Sequence, residues 1–129
     1  MSVAGFGFRA AATTESLKHA LALALGQSDA PIALTALATA WDKAASPTFV
    51  RFATDLGLPV LTISAETLRA QQAHTSAHVP ARYGQHSLAE SSALAAVGPG
   101  AQLLGPRCVS PDRLATAAVA CVLPENTSP

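Results

Sequence analysis

Three times before Gln72 a short apolar run is followed by a stretch with helical spacing, and this alternation constrains the fold more than any other feature of the chain. Ser2 to Phe8 (SVAGFGF) reads as a strand, and after the polar stretch Arg9 to Thr14 the leucines 17, 21 and 25 recur on one helical face over Glu15 to Leu25. Thr13 or Thr14 suits the N-cap, Glu15 complements the helix dipole, and Gly26 stops the helix. Pro31 opens a second run, Ile32 to Thr39, bounded by Trp41-Asp42-Lys43. Ser46 followed by Pro47 starts a helix through Asp55 that Gly57 ends. Pro59 to Ser64 (PVLTIS) is the third strand, followed by a short helix from Ser64 to about Gln71 or Gln72.

The remainder differs in pattern. Ala73 to His86 has no period and holds Pro80, Gly84 and three histidines, which predicts a long loop. Ser87-Leu88-Ala89-Glu90 has the form of a capping box opening a helix through Val97, closed by Gly98-Pro99-Gly100. Gln102 to Val109 reads as a fourth strand, Ser110-Pro111-Asp112-Arg113 as a turn, and Ala115 to Leu123 as a fifth strand. The expected fold is an α/β three-layer α/β/α sandwich with a mostly parallel five-stranded mixed sheet and a C-terminal antiparallel hairpin. Residues 1–123 form one domain in this reading, and 124–129 a disordered tail.

At 129 residues the chain has the usual size of a single domain. Half of it is hydrophobic but only 5% aromatic, so the core has to be built largely from small aliphatic groups. Formal net charge is zero, and the eight Lys and Arg are scattered, which argues against a nucleic-acid partner. The longest apolar runs are about half the ~20 residues of a membrane span, and Met1 to Arg9 lacks the form of a signal peptide. A cytoplasmic protein with no membrane partner is expected. Cys108 and Cys121 have no Cys-x-x-Cys partner and read as buried free thiols.

Parallel strands joined by right-handed crossovers deliver their carboxyl ends to one edge, where open α/β sheets bind ligands. That edge gathers Gly7 to Arg9, Trp41-Asp42-Lys43, Ser64 with Glu66, and Arg107; Arg82 and Arg113 fall near it in the topology. Convergence of Arg9, Lys43 and Arg107 implies an anionic ligand, against the alternative that they are solvated or paired with Asp42 and Glu66. Gly5 reads as a packing glycine and Gly7 as one bordering the site. The stretch lacks the remaining glycines of a nucleotide-binding motif. His74 and His78 have helical spacing, but no further ligand pair supports a metal site, and no cofactor is expected. Glu90 is either the capping partner of Ser87 or a carboxylate placed to act as a general base. The candidate set is therefore Gly7, Arg9, Asp42, Lys43 and Arg107 for ligand binding and Glu90 for catalysis.

The run VAGFGFR at Val3 to Arg9, the helix entry at Thr13 to Leu17, Trp41-Asp42-Lys43, Leu56-Gly57-Leu58-Pro59, GQHSLAESSAL at Gly84 to Leu94 and the final strand pair together resemble the CobE family of cobalamin biosynthesis. That family is similar to the C-terminal domain of CbiG. The resemblance spans Ser2 to Leu123 and implies a protein that holds or transforms a corrinoid or precorrin intermediate, whose rim carries acetate and propionate carboxylates. CbiG proteins open a precorrin lactone, so the resemblance leaves three roles: a binding protein, a hydrolase, or a non-catalytic partner of other pathway enzymes. The chain departs from the family pattern at Ala10, where a second basic residue is common, at Arg107 in place of lysine, and at Ser91-Ser92 after Glu90. The N-terminal region of CbiG has no counterpart in these residues.

Overall fold

A computed structural model describes residues 1–28, 32–68, 70 and 88–122. Its elements run β1 (Ser2–Phe8), α1 (Thr14–Leu25), β2 (Ala36–Ala40), α2 (Pro47–Leu56), β3 (Val60–Ile63), α3 (Leu88–Val97), β4 (Ala101–Leu103), β5 (Cys108–Val109) and β6 (Ala115–Val122). Residues 65–68 are also helical. The strands lie in the order β3-β2-β1-β6-β4, with β5 pairing the same edge of β6. β1 pairs β2 and β2 pairs β3 in parallel, whereas β6 is antiparallel to β1, β4 and β5. Five strands therefore share one direction and β6 alone runs against them, as the expected mostly parallel sheet with a terminal antiparallel strand requires.

Two strand limits differ from expectation, for local reasons. The second strand begins at Ala36 rather than Ile32, because β1 starts at Ser2 and leaves residues 32–35 no ladder to join. Ser2 instead accepts hydrogen bonds from the Thr35 amide at 2.8 Å and the Thr35 hydroxyl at 3.0 Å. The expected fourth strand, Gln102 to Val109, is two strands, so the sheet has six. Leu103 lies opposite Ala120 and Cys108 opposite Ala117, so four intervening residues face two of β6. Gly105-Pro106 accounts for the outward bend, since proline has no amide to give a ladder.

Helices cover both faces. Ala4 and Phe6 of β1, Leu37 of β2 and Ala115, Ala117 and Val119 of β6 pack with α1 and α2. The chain's four phenylalanines meet there: Phe6 lies edge-on to Phe49 and Phe52 at 5.5 and 5.2 Å between centroids, and Phe8 stacks on Phe49 at 5.4 Å. The opposite face carries Val3, Ala36, Ala38 and Ile63, with α3 laid across β1. Gly5 permits that approach: a Cβ there would fall 2.2 Å from the Ala89 carbonyl oxygen and 2.6 Å from the Ala93 amide. It is the packing glycine that the sequence suggested.

Helix ends follow the sequence closely. Thr13 caps α1 in a reciprocal box in which the Ser16 amide donates to Thr13 Oγ1 at 3.2 Å and the Thr13 amide donates to Ser16 Oγ at 3.1 Å. α2 starts with Pro47, although the Ser46 side chain makes no capping bond, and ends at Gly57 in the left-handed conformation, φ 71°. Both cysteines are free, and both are half-buried rather than buried. Burial raises the Cys108 thiol above its ordinary pKa, keeping it protonated. The expected loop Ala73 to His86 and the tail 124–129 lie outside the described residues. No helix among the described residues is long and apolar enough to cross a membrane.

Candidate functional site

The direction of β1 places Gly7, Phe8 and Arg9 at the carboxyl end of the sheet, where Phe8 pairs with Ala115 and the Arg9 amide donates to the Leu114 carbonyl at 2.9 Å. Residues alternate between faces along a strand. Gly7, its partner Thr116, and Val109 opposite Thr116 thus turn toward the α3 side, away from the phenylalanine cluster. The sheet outruns α3 here, and the result is a groove of about 500 Å³ lined by Gly7, Phe8, Arg9, Leu88, Val109, Arg113, Leu114 and Thr116. That volume lies within the range of small-molecule sites, roughly 300–1,000 Å³.

Two arginines, Arg9 and Arg113, line the groove. Among the described residues neither has a carboxylate within ion-pair distance; the ion pair found there joins Arg107 to Glu90. The sequence had put Arg113 near the edge but outside the candidate set. Its position in a turn between two strands carries no periodic signal, which is why sequence alone ranked it below Arg9.

Gly7 differs from Gly5. A Cβ at Gly7 would meet Leu88 Cβ at 3.4 Å, Leu88 Cδ2 at 3.6 Å and the Ala89 amide nitrogen at 3.8 Å, all ordinary contacts, so packing does not demand glycine there. Added atoms would instead enter the groove.

The remaining candidates are spread around this centre. Lys43 sits on the other side of the edge, with Nζ donating to the Phe8 carbonyl at 2.8 Å and lying 5.1 Å from the Phe8 ring centroid. One of its three N–H groups is committed, leaving the charge anchored beside β1. Asp42 is exposed in the turn after β2, next to Trp41, whose side chain is 55% exposed.

Arg107 precedes β5 instead of following a strand: it is level with the part of β6 that pairs Phe6, set back from the edge. Its amide donates to Glu90 Oε2 at 3.2 Å, and its guanidinium lies 3.8 Å from Oε1. Glu90, in the first turn of α3, is buried while Arg107 is 52% exposed. The carboxylate therefore holds the β4–β5 connection against α3. Its proposed capping partner Ser87 is outside the described residues, as are Arg82, His74, His78 and His86. No cluster of three or more metal-ligating side chains occurs among the described residues.

A second polar group was not visible in the sequence. Asp112, in the β5–β6 turn, accepts from Ser16 Oγ at 2.6 Å, from the Leu114 amide at 3.0 Å, and from the Ser110 hydroxyl. The hydrogen bonds from Ser110, Ser16 and the Leu114 amide, in that order of effect, hold its carboxyl below the ordinary value of 3.8, with a small further contribution from His19. Its carboxylate thus fixes the turn to α1. Behind the groove, Ser91 and Ser92 bury hydroxyls that have no hydrogen-bond partner among the described residues.

A larger groove, about 540 Å³, lies at the other end of α3 between Thr67, Leu94 and Ala101, but none of the described residues that line it is charged. Charge and topology both favour the groove at the carboxyl end.

Comparison with known proteins agrees with this architecture. Residues 2–120 match the family model described as cobalamin synthesis G C-terminus. The chain belongs to the CbiG C-terminal family. The crystal structure of CobE, a protein from the cobalamin (vitamin B12) biosynthetic pathway, is similar with a TM-score of 0.78 at 31% identity, covering 98% of this chain and 93% of that one. The crystal structure of cobalamin biosynthesis protein chiG from Agrobacterium tumefaciens str. C58 gives 0.75 at 31% identity, covering 95% and 99%. No curated protein sequence matches the chain significantly. Membership of the CbiG C-terminal family makes this a protein of cobalamin biosynthesis, and places the groove described above on a fold shared with CobE.

Proposed function

We propose that the protein binds a corrinoid or precorrin intermediate by its carboxylated rim, in the groove at the carboxyl end of the sheet. The observation that carries this reading is the pair of arginines, Arg9 and Arg113, that line the groove beside Gly7 with no carboxylate partner among the described residues, in a family of the cobalamin pathway. Ring intermediates of that pathway bear acetate and propionate side chains, and guanidinium groups pair bidentately with carboxylates. A groove of about 500 Å³ takes an edge of such a macrocycle rather than the whole ring. Lys43 adds a third, anchored charge on the far side of β1. Arg107 acts through Glu90 by holding the wall formed by α3 and β5, and Asp42 does not line the groove.

Binding is favoured over lactone hydrolysis because the Glu90 carboxylate is engaged by the Arg107 amide and guanidinium and does not line the groove. A general base needs a free lone pair within reach of the attacking water.

Titration of the protein with a corrin bearing free carboxylates, followed by visible absorbance and by fluorescence of the single tryptophan, Trp41, tests the reading. Saturable binding, weakened about tenfold or more by Arg9→Ala, is expected for loss of a charge-assisted hydrogen bond. Release of a fragment with water addition would favour the hydrolase instead, and absence of any binding at micromolar protein would end both.

A further inference from the structure

Arg113 stands at φ 65°, the only non-glycine residue with positive φ among those described. This left-handed region disfavours side chains with a Cβ and is where glycine or asparagine is ordinarily found after a tight turn. The turn is built to hold it there. The Arg113 amide donates to the Ser110 carbonyl at 2.8 Å, the Ser110 amide to the Ala115 carbonyl at 2.8 Å, and the Ala115 amide to the buried Ser110 Oγ at 3.1 Å. Asp112 ties the same turn to Ser16 at the start of α1. Leu114, the next residue, receives the Arg9 amide, so the strained position and Arg9 are joined through one hydrogen bond.

We infer that Arg113 is a ligand-positioning residue that forms, with Arg9, a two-arginine clamp on one rim carboxylate, its left-handed backbone being what sets the side chain on the groove. The inference rests on the binding reading above and adds to it that both arginines grip the same carboxylate and that the left-handed backbone is what sets Arg113 for it. Strain of this kind persists where surrounding structure over-determines it and a function needs the residue. At a turn with no ligand role, glycine would occupy the position without strain. Arg113 instead lines the same groove as Arg9, and no carboxylate among the described residues neutralises either. Asp112, the nearest acid in sequence, has its oxygens engaged by Ser16, Ser110 and the Leu114 amide. A planar guanidinium on each side suits a carboxylate, which accepts on both oxygens.

Arg113→Gly separates the two halves of the inference, because it relieves the backbone while removing the clamp. We expect its melting temperature to rise by about 2–5 °C. Its affinity for a corrin with free carboxylates should fall at least tenfold, while its affinity for the fully amidated corrin stays within twofold of the unmodified protein. Arg113→Asn, which also enters the left-handed region readily, should show the same loss of preference for the acid, and guards against an effect peculiar to glycine. If both variants keep the unmodified protein's preference for the acid, the clamp is wrong and the binding reading stands; if the unmodified protein binds acid and amide forms equally, recognition of the carboxylated rim fails and the clamp fails with it. A fall in melting temperature for both variants would overturn the strain argument. If the unmodified protein binds neither corrin, the binding reading fails and the clamp fails with it.

Discussion

The two faces of the sheet are packed by different means. On the α1/α2 side, Phe6, Phe49 and Phe52 are fully buried and fill the space between layers with rings. On the α3 side the helix rests almost directly on β1: Gly5 lies under Ala89 and Ala93, and six consecutive residues from Ala89 to Leu94 are buried. Rings supply much of the stability and tolerate small adjustments of the layer they support. Backbone-to-backbone packing offers no such slack, but it fixes a helix tightly. The groove uses the second arrangement, because Leu88 and the Glu90–Arg107 pair are placed by α3. One face therefore contributes stability and the other contributes position.

Substitutions that act on one face alone should separate those contributions. Phe52→Ala is expected to have the largest effect on stability, about 3–5 kcal/mol in urea unfolding, while the folded fraction keeps its ligand affinity. A loss of affinity matching that of a groove variant would erase the distinction. Gly5→Ala should cost about 3 kcal/mol, the upper end of overpacking, because the clash is with backbone. Unlike Phe52→Ala, it should also abolish binding by lifting α3. Gly7→Ala is the control: unfolding midpoints should barely move, and affinity alone should drop.

Smaller effects sharpen the same contrast. Ser91→Ala and Ser92→Ala remove hydroxyls without partners from the tightly packed face, and each should be neutral or stabilising by up to about 1 kcal/mol. Destabilisation by either would mean that the hydroxyl has a structural role. Asp112→Asn should change the slope of stability with pH. Its depressed folded-state value means that the native state binds fewer protons than the unfolded chain, so the stabilisation is complete above about pH 4 and is lost as pH falls through the lowered value. The variant's stability should be flatter on that acid limb, and parallel profiles would show that the Ser16–Asp112–Ser110 bonds are not formed in solution.

Much of this arrangement was legible in the residues. Alternating apolar runs and helical spacings gave β1, α1, α2, β3 and α3 within a residue or two, because caps such as Thr13, Pro47 and Gly57 act locally. Gly7 and Arg9 could be placed at the carboxyl edge of the sheet because parallel topology alone puts them there. What was not legible depends on register. The division of Gln102 to Val109 into two strands follows from how β6 pairs, and the setback of Arg107 follows from that division. Of the three bonds to Asp112, that from Ser16 spans 96 residues of sequence, which no local pattern encodes, and the left-handed backbone of Arg113 follows from the bonds that Ser110 makes within the turn. The separation of Lys43 from Arg9 onto opposite sides of the edge likewise needs the strand pairing to be known.

The central claim is that ligand is held at the carboxyl end of the sheet on the α3 side. Mapping amide chemical-shift changes while the isotope-labelled protein is titrated with a carboxylated corrin measures that location directly. The account predicts saturable shifts concentrated at Gly7, Arg9, Leu88 and Arg113 to Thr116. Shifts concentrated instead at Leu94 to Ala101, around the groove at the far end of α3, would contradict it.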